Sequence, residues 1–410
     1  MRIYQWRAGF ISVVMLALAG AAIADDAAPV AAAEAAPAAA TPPPAPTALG
    51  TPGMTGPLAA NTMPTKFDAG PLGTVYVTGV ASGIYQYQNN VVTFVPRDLD
   101  SRVDLSNGQV FVQKTDGFVQ FYAQAGAYSI PDIGVPYIAS GVATNAFYGP
   151  FSQAFIKLVP NDKWSLEVGK LPTLIGAEYT FSFENVNIER GLLWNQENAV
   201  NRGVQLNYSS GPIAASLSWN DGLYSNKYSW AWGSLTYTFN SANILSVIAS
   251  GNTRRTTVNT LVTPLYQNNE QLYNVIYTHT MGPWTLQGYL QYTKVPASVA
   301  IGTTQSADTK GAALYATYAV PSVAGLSLPV RVEYIATSGS AAGGAPNLMY
   351  GPGSKAWSLT FTPTYQKGIF FARAEASYVS ASSTTPGFVF GPNGTDTSQL
   401  RGLLEVGVLF

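Results

Sequence analysis

One stretch of this chain concentrates the groups that could do chemistry. From Leu171 to Gly203 it reads LPTLIGAEYTFSFENVNIERGLLWNQENAVNRG, with Glu178, Glu184, Glu189, Arg190 and Glu197, in a chain where only 10% of residues are charged. Gathered carboxylates allow two kinds of work. A pair such as Glu184 and Glu189 can serve as acid and base on a glycosidic bond, and a charged ring in a narrow passage selects which ions cross it. Further along, Arg331, Glu333, Arg373, Glu375, Arg401 and Glu405 sit in alternating segments that would face such a loop.

Other chemistries lack their groups. Acyl transfer through a nucleophile needs a histidine base beside a serine or carboxylate, and the single histidine, His279, stands two residues before the turn signal Met281-Gly282-Pro283. One His and no Cys leave too few soft ligands for a metal centre and no thiol for catalysis or disulfides. The sequence therefore predicts no enzyme, no metal and no cofactor. A net charge of −1 gives no basic footprint for nucleic acid.

The ends and the composition say where such a chain works. Arg2 and Arg7, the apolar run Phe10 to Ala21 and Ala22-Ile23-Ala24 form a signal peptide over 1–24, implying export. Residues 25–71 are rich in Ala and Pro, including Pro42-Pro43-Pro44, and predict a disordered periplasmic extension that buries too little apolar area to order itself. The last ten residues, RGLLEVGVLF, alternate. Gly402, Leu404, Val406, Val408 and Phe410 share one parity, and Arg401 and Glu405 the other. One face suits lipid and the other water, the pattern of a barrel strand ending on an aromatic residue that the barrel-assembly machinery would engage. Few charges and 12% aromatic residues fit an outer face turned to outer-membrane lipids.

Cutting the chain at turn residues gives sixteen candidate strands: 74–86, 107–114, 118–128, 150–160, 163–171, 201–209, 212–220, 228–239, 243–251, 270–281, 283–294, 308–320, 328–337, 354–365, 369–379 and 399–410. An even number lets both ends lie in the periplasm. The connections alternate between short ones, such as Asp116-Gly117, Ser210-Gly211 and Gly282, and long ones such as 129–149, 172–200 and 252–269. The fold expected over 72–410 is all-β: a transmembrane antiparallel up-and-down barrel of about sixteen strands, with short periplasmic turns and long external loops. In 284–293, Trp284, Leu286 and Leu290 take the lipid parity and Thr285, Gln287 and Gln291 the lumen parity. The segment 228–239 breaks step between Trp232 and Leu235, which predicts a bulge.

The run GAEYTFSFENVNIERGLLWNQENAVNRGVQLNY, followed by SWNDGLYS at Ser218 to Ser225, resembles the OmpL-like β-barrel porins of Gram-negative outer membranes. The likeness is strong over Lys170 to Asn226. It implies a pore-forming barrel in the outer membrane that passes small hydrophilic solutes or ions by passive diffusion; a structural or adhesive barrel and, further off, a barrel hydrolase are the alternatives. Sixteen-stranded porins, which the chain resembles in strand number, commonly fold the third external loop inward and assemble as homotrimers. The eleven charged residues named above are then the expected constriction and pore lining. Four acidic residues against one basic in the loop predict a modest cation preference.

Overall fold

The structure, a computed structural model, describes residues 56–92 and 98–410. The signal peptide and the Ala/Pro segment up to residue 55 lie outside the described residues.

Sixteen wall strands follow in chain order among the described residues: β1 (Thr74–Gln88), β2 (Ser101–Lys114), β3 (Val119–Tyr128), β4 (Gln153–Asn161), β5 (Trp164–Pro172), β6 (Val200–Ser210), β7 (Ile213–Asn220) and β8 (Trp230–Asn240). The second half holds β9 (Asn243–Asn252), β10 (Gln271–Met281), β11 (Trp284–Val295), β12 (Ala307–Ala319), β13 (Leu326–Thr337), β14 (Lys355–Phe361 and Thr364–Lys367), β15 (Phe370–Ser382) and β16 (Ser398–Leu409). Each pairs antiparallel with its neighbours in sequence, and β16 closes on β1 from Arg401↔Gln88 to Leu409↔Val80. Closure leaves no unpaired wall edge, the condition for a sheet to cross a bilayer.

Alternation sets the two faces. On β11, Trp284 and Leu290 are exposed outward while Tyr289, Gln291 and Thr293 are buried inward. Aromatic pairs stand at both rims of the outer face: Trp164 with Tyr208 and Trp284 with Tyr318, each at 4.7 Å, towards the turns, and Trp357 with Tyr378 at 5.4 Å towards the loops. Rings with one apolar body and one polar tip suit the two interfaces. The hairpins at Gly211-Pro212 and Gly282-Pro283 are two residues long; φ of +56° and +54° at the glycines, followed by proline, is the geometry that lets twisted strands reverse in two residues.

Three local expectations change. The bulge predicted between Trp232 and Leu235 is absent: β8 and β9 keep register from Trp230↔Asn252 to Thr238↔Ile244, and the shift falls at Phe239. Trp230 and Trp232 point inward and are each 1% exposed, so large apolar side chains on the lumen parity imitate a break in the alternation. The strand predicted over 354–365 is interrupted at Thr362-Pro363, because a proline has no N–H for the ladder. Strand β2 begins at Ser101, six residues before the predicted start, with a register shift opposite Ser82 and Gly83 that leaves Ser106 unpaired in the ladder.

Residues 56–71, predicted as the end of a disordered extension, are instead built into the barrel. Thr65–Asp68 forms a short strand paired with β1, beyond the end of β16. Ahead of it Leu58 is 3% exposed in a cluster with Phe111, Tyr122, Phe183, Phe371 and Leu409, and Gly56 donates its N–H to the Glu184 carbonyl at 2.9 Å. Ala59 exchanges two hydrogen bonds with the Gln366 side chain. Burial of Leu58 and the pairing of Thr65–Asp68 with β1 both act against the ordering cost of this segment.

Candidate functional site

Sixteen strands enclose a space wider than wall side chains can fill. The third loop, residues 173–199, fills much of it. Thr173 N–H bonds the Ala199 carbonyl at its base, and short 3-10 turns at Ser182–Glu184 and Trp194–Gln196 fold the chain back on itself. Phe181, Phe183, Ile188, Leu192 and Leu193 are at most 1% exposed. An external loop with that apolar content has nowhere to bury it except the lumen.

Eight of the eleven predicted residues are ion-paired, and these pairs together with hydrogen bonds to its backbone anchor the loop to the wall. Arg331 on β13 pairs with Glu178 at 2.6 Å and with Glu333 at 3.1 Å, and donates to the Glu189 carbonyl at 2.7 Å. On β15, Arg373 pairs with Glu405 at 3.4 Å and donates to the carbonyls of Ser182, Asn185 and Val186. Arg401 on β16 pairs with Glu189 at 2.7 Å. Glu375 accepts the N–H groups of Ile188 at 2.6 Å and Glu189 at 3.0 Å, and Glu333 accepts that of Leu193 at 3.3 Å. Glu184 accepts the Phe181 N–H at 3.0 Å, a cap on its own turn.

All eleven are buried, and the four arginines are no more than 2% exposed. Removing one partner of such a pair costs about 3–5 kcal/mol, because the other charge stays buried and alone. The paired residues therefore hold the third loop in place, each charge matched by its neighbour.

The second loop, 129–152, also turns inward, which the sequence reading missed. Its Asp132 pairs with Arg190 at 2.7 Å, and backbone bonds join Ile133 to Arg190 and Arg190 to Pro131. Arg190 also lies 4.9 Å from the Trp194 ring centroid. The signal was present in Ile130, Ile133, Val135, Tyr137 and Ile138, too apolar a run for a solvated loop.

Glu197 stands apart from the arginines. It accepts a hydrogen bond from the Tyr289 hydroxyl at 2.5 Å, and its other oxygen has no partner. Burial raises its carboxyl to about 8; the Tyr289 hydrogen bond lowers it, and the neighbouring Glu178 and Glu333 raise it further. Glu270, just ahead of β10, is 1% exposed, and its carboxyl is raised well above the usual range by burial and then by the charge of Glu197. Glu270 was not singled out from the sequence, because one acid after Asn268 and Asn269 at the start of a predicted strand reads as a solvated end.

His279 lies at the turn end of β10 with its Nδ1 2.8 Å from Asn243 Oδ1. On the turn side of the third loop, the inward residues Ser216, Ser234, Thr236, Ser246, Thr278 and Gln287 are only half-buried. They leave a polar half-lumen along β7 to β11.

The family described as "Putative beta-barrel porin-2, OmpL-like" matches residues 74–410. No curated protein matches the chain. Among solved structures, OmpT of Vibrio cholerae, an outer-membrane protein, superposes with a TM-score of 0.54 at 12% identity, covering 85% of this chain and 100% of that one. The outer membrane channel DcaP of Acinetobacter baumannii gives 0.53 at 12%, covering 82% and 97%. At such identities the likeness is one of fold.

Proposed function

We infer the function from one premise, that this chain belongs to the OmpL-like β-barrel porin-2 family: it is a porin, a water-filled channel of the outer membrane for small hydrophilic solutes or ions. The observation that carries the reading is the lumen itself. A closed wall of sixteen strands holds an inward loop along β10 to β16, while the half along β7 to β11 keeps polar side chains accessible. Passive diffusion needs only this, a wetted passage with a fixed narrow point.

Export through the signal peptide at 1–24, entry into the membrane through the C-terminal strand ending at Phe410, and a homotrimer complete the reading. A shallow depression in the lipid face where Ala374, Ala376 and Gly402 lack bulk, rimmed by Tyr85, Tyr87 and Phe361, supports the trimer, since small residues let two walls approach closely.

Planar-bilayer recording of the purified full chain tests the channel. Stepwise conductance increments are expected; a folded barrel that inserts without conducting overturns the reading.

A further inference from the structure

The outer face of β11 to β14 carries a basic patch at its loop end. Lys294 on β11, Lys310 on β12 and Lys355 on β14 share the outward parity of Trp284, Leu314 and Trp357, and all three are exposed. Ladder register fixes their spacing. Lys310 lies opposite Ala336 of β13, which lies opposite Lys355, so these two lysines stand level, about 10 Å apart by two strand spacings, with one small side chain between them. Lys294 is the diagonal neighbour of Lys310, since Tyr292 is the residue directly opposite.

Little opposes this charge. The connections above the patch, 296–306 and 338–354, hold no charged residue. Asp308 faces Lys294 across the ladder, but its carboxylate accepts the Ser338 hydroxyl, and none of the three lysines forms an ion pair among the described residues. A second outward basic pair at the loop rim, Lys170 and Arg202, is instead used within the protein: Lys170 donates to the Tyr148 and Phe151 carbonyls at 2.9 and 2.6 Å, and Arg202 pairs with Asp221 at 2.8 Å.

The rows below the patch turn apolar at once. One step further from the loops come Leu290, Ala312, Tyr334 and Trp357, paired in that order across the four strands. A lysine on a lipid-facing strand is tolerated where its ammonium reaches the headgroups, and several together attract anionic ones. Ammonium groups above aromatic rings above aliphatic wall is the order in which an anionic lipid presents its own parts.

We propose that Lys294, Lys310 and Lys355 bind the phosphate-bearing headgroup of an outer-leaflet lipid, whose chains run down the outer face past Ala312 and Leu314. The occupant is a lipid and not free phosphate, because the apolar row begins directly below the charges. The site rests on the placement of the barrel in the outer membrane and not on an open channel, so its test does not read conductance.

The full chain, folded in neutral detergent, is titrated with a bisphosphorylated diglucosamine lipid and with the same lipid freed of phosphate, and bound lipid is counted by native mass spectrometry. Wild type should bind the phosphorylated lipid about ten-fold more tightly, and the difference should shrink as sodium chloride is added. Equal affinity for the two lipids overturns the proposal without recourse to any variant.

K294Q/K310Q/K355Q should lose most of the difference while its unheated gel mobility remains that of a folded barrel. K163Q/K227Q/K367Q removes the same charge from three exposed lysines elsewhere and should bind as wild type does. Equal losses in the two variants overturn the proposal, since the lipid then senses net charge and not the patch. Inorganic phosphate at the concentration of the lipid should displace none of it; displacement would make this a free-anion site and also overturn the proposal. A silent bilayer bears on the porin reading alone.

Discussion

The last residue of the chain, Phe410, exchanges both backbone hydrogen bonds with Gly79, at 2.8 and 2.9 Å, and its ring occupies the space where a side chain on Gly79 would begin. A Cβ on Gly79 would stand 2.3 Å from the ring Cζ and 2.7 Å from the Gln109 carbonyl oxygen, so neither residue tolerates bulk in the other's place. The barrel is therefore closed at its turn end by an aromatic residue fitted over a glycine.

Phe410→Ser and Gly79→Val should each reduce the fraction of barrel that assembles, the first by removing the ring and the second by displacing it. Heat-modifiable gel mobility and outer-membrane abundance measure this. Wild-type levels of folded protein for both variants would show that β16 closes without the contact.

The ion-pair network gives a prediction about noise rather than selectivity. Arg331→Met leaves Glu178 and Glu333 buried without their shared cation, which should cost about 3–5 kcal/mol locally and release the third loop. Single-channel traces should then flicker and show a larger mean conductance. Restoring balance with E178Q/R331M should recover part of the quiet state; additive effects of the two changes would mean that the pair does not act as a unit.

Glu184→Gln with Glu189→Gln, which the charge count alone marks as the selectivity change, should instead act through the loop. Glu189 holds Arg401 at 2.7 Å and Glu184 caps its own turn, so their loss should broaden conductance levels and leave the reversal potential nearly as it was. A large drop in cation preference with quiet channels would return these two residues to the pore lining.

Leu58→Asp places a charge in the cluster of Phe111, Tyr122 and Phe371 and should expel residues 56–59 from the turn end of the lumen. The sixteen strands do not depend on this segment for pairing, so folding should persist while conductance rises. An unchanged conductance in a folded variant would show that the segment lies outside the solute path.

Glu197 predicts a pH dependence. Its folded carboxyl is raised to about 8, above the unfolded value near 4.5, so the folded state favours the protonated form. The stability this contributes is fully present below about pH 4.5 and is lost as pH rises through about 8. Tyr289, Glu178, Glu333 and Glu270 face or act on the group, and none supplies a positive charge. Melting temperature should fall between about pH 5 and 8 in the wild type and level off above, with a smaller fall in E197Q; parallel curves would remove Glu197 as the cause.

The wall was legible in the sequence because period-two alternation and turn residues act locally: the predicted and observed strands agree from β3 to β13 to within three residues at either end. What resisted reading was non-local. Leu58 looks like part of an Ala/Pro tail until Phe111 and Phe371 are beside it, and Trp230 and Trp232 look like a bulge until the lumen proves to hold apolar loop residues. For the site, the charged loop and its wall partners were found by type, but not which of them pair. Whether a carboxylate faces an ion or an arginine depends on which strand lies opposite, and composition carries no such information. Asp132 and Glu270 were missed for the same reason.

The anchors of the third loop tie the first half of the wall to its last quarter. Glu178 meets a partner 153 residues downstream and Glu189 one 212 downstream, so the loop's charges stay unmatched until β13 and β16 stand opposite it. Contacts so distant in sequence come late in folding, and the plug of this barrel is set only when its far wall, with Phe410 at the foot of the seam, is there to receive it.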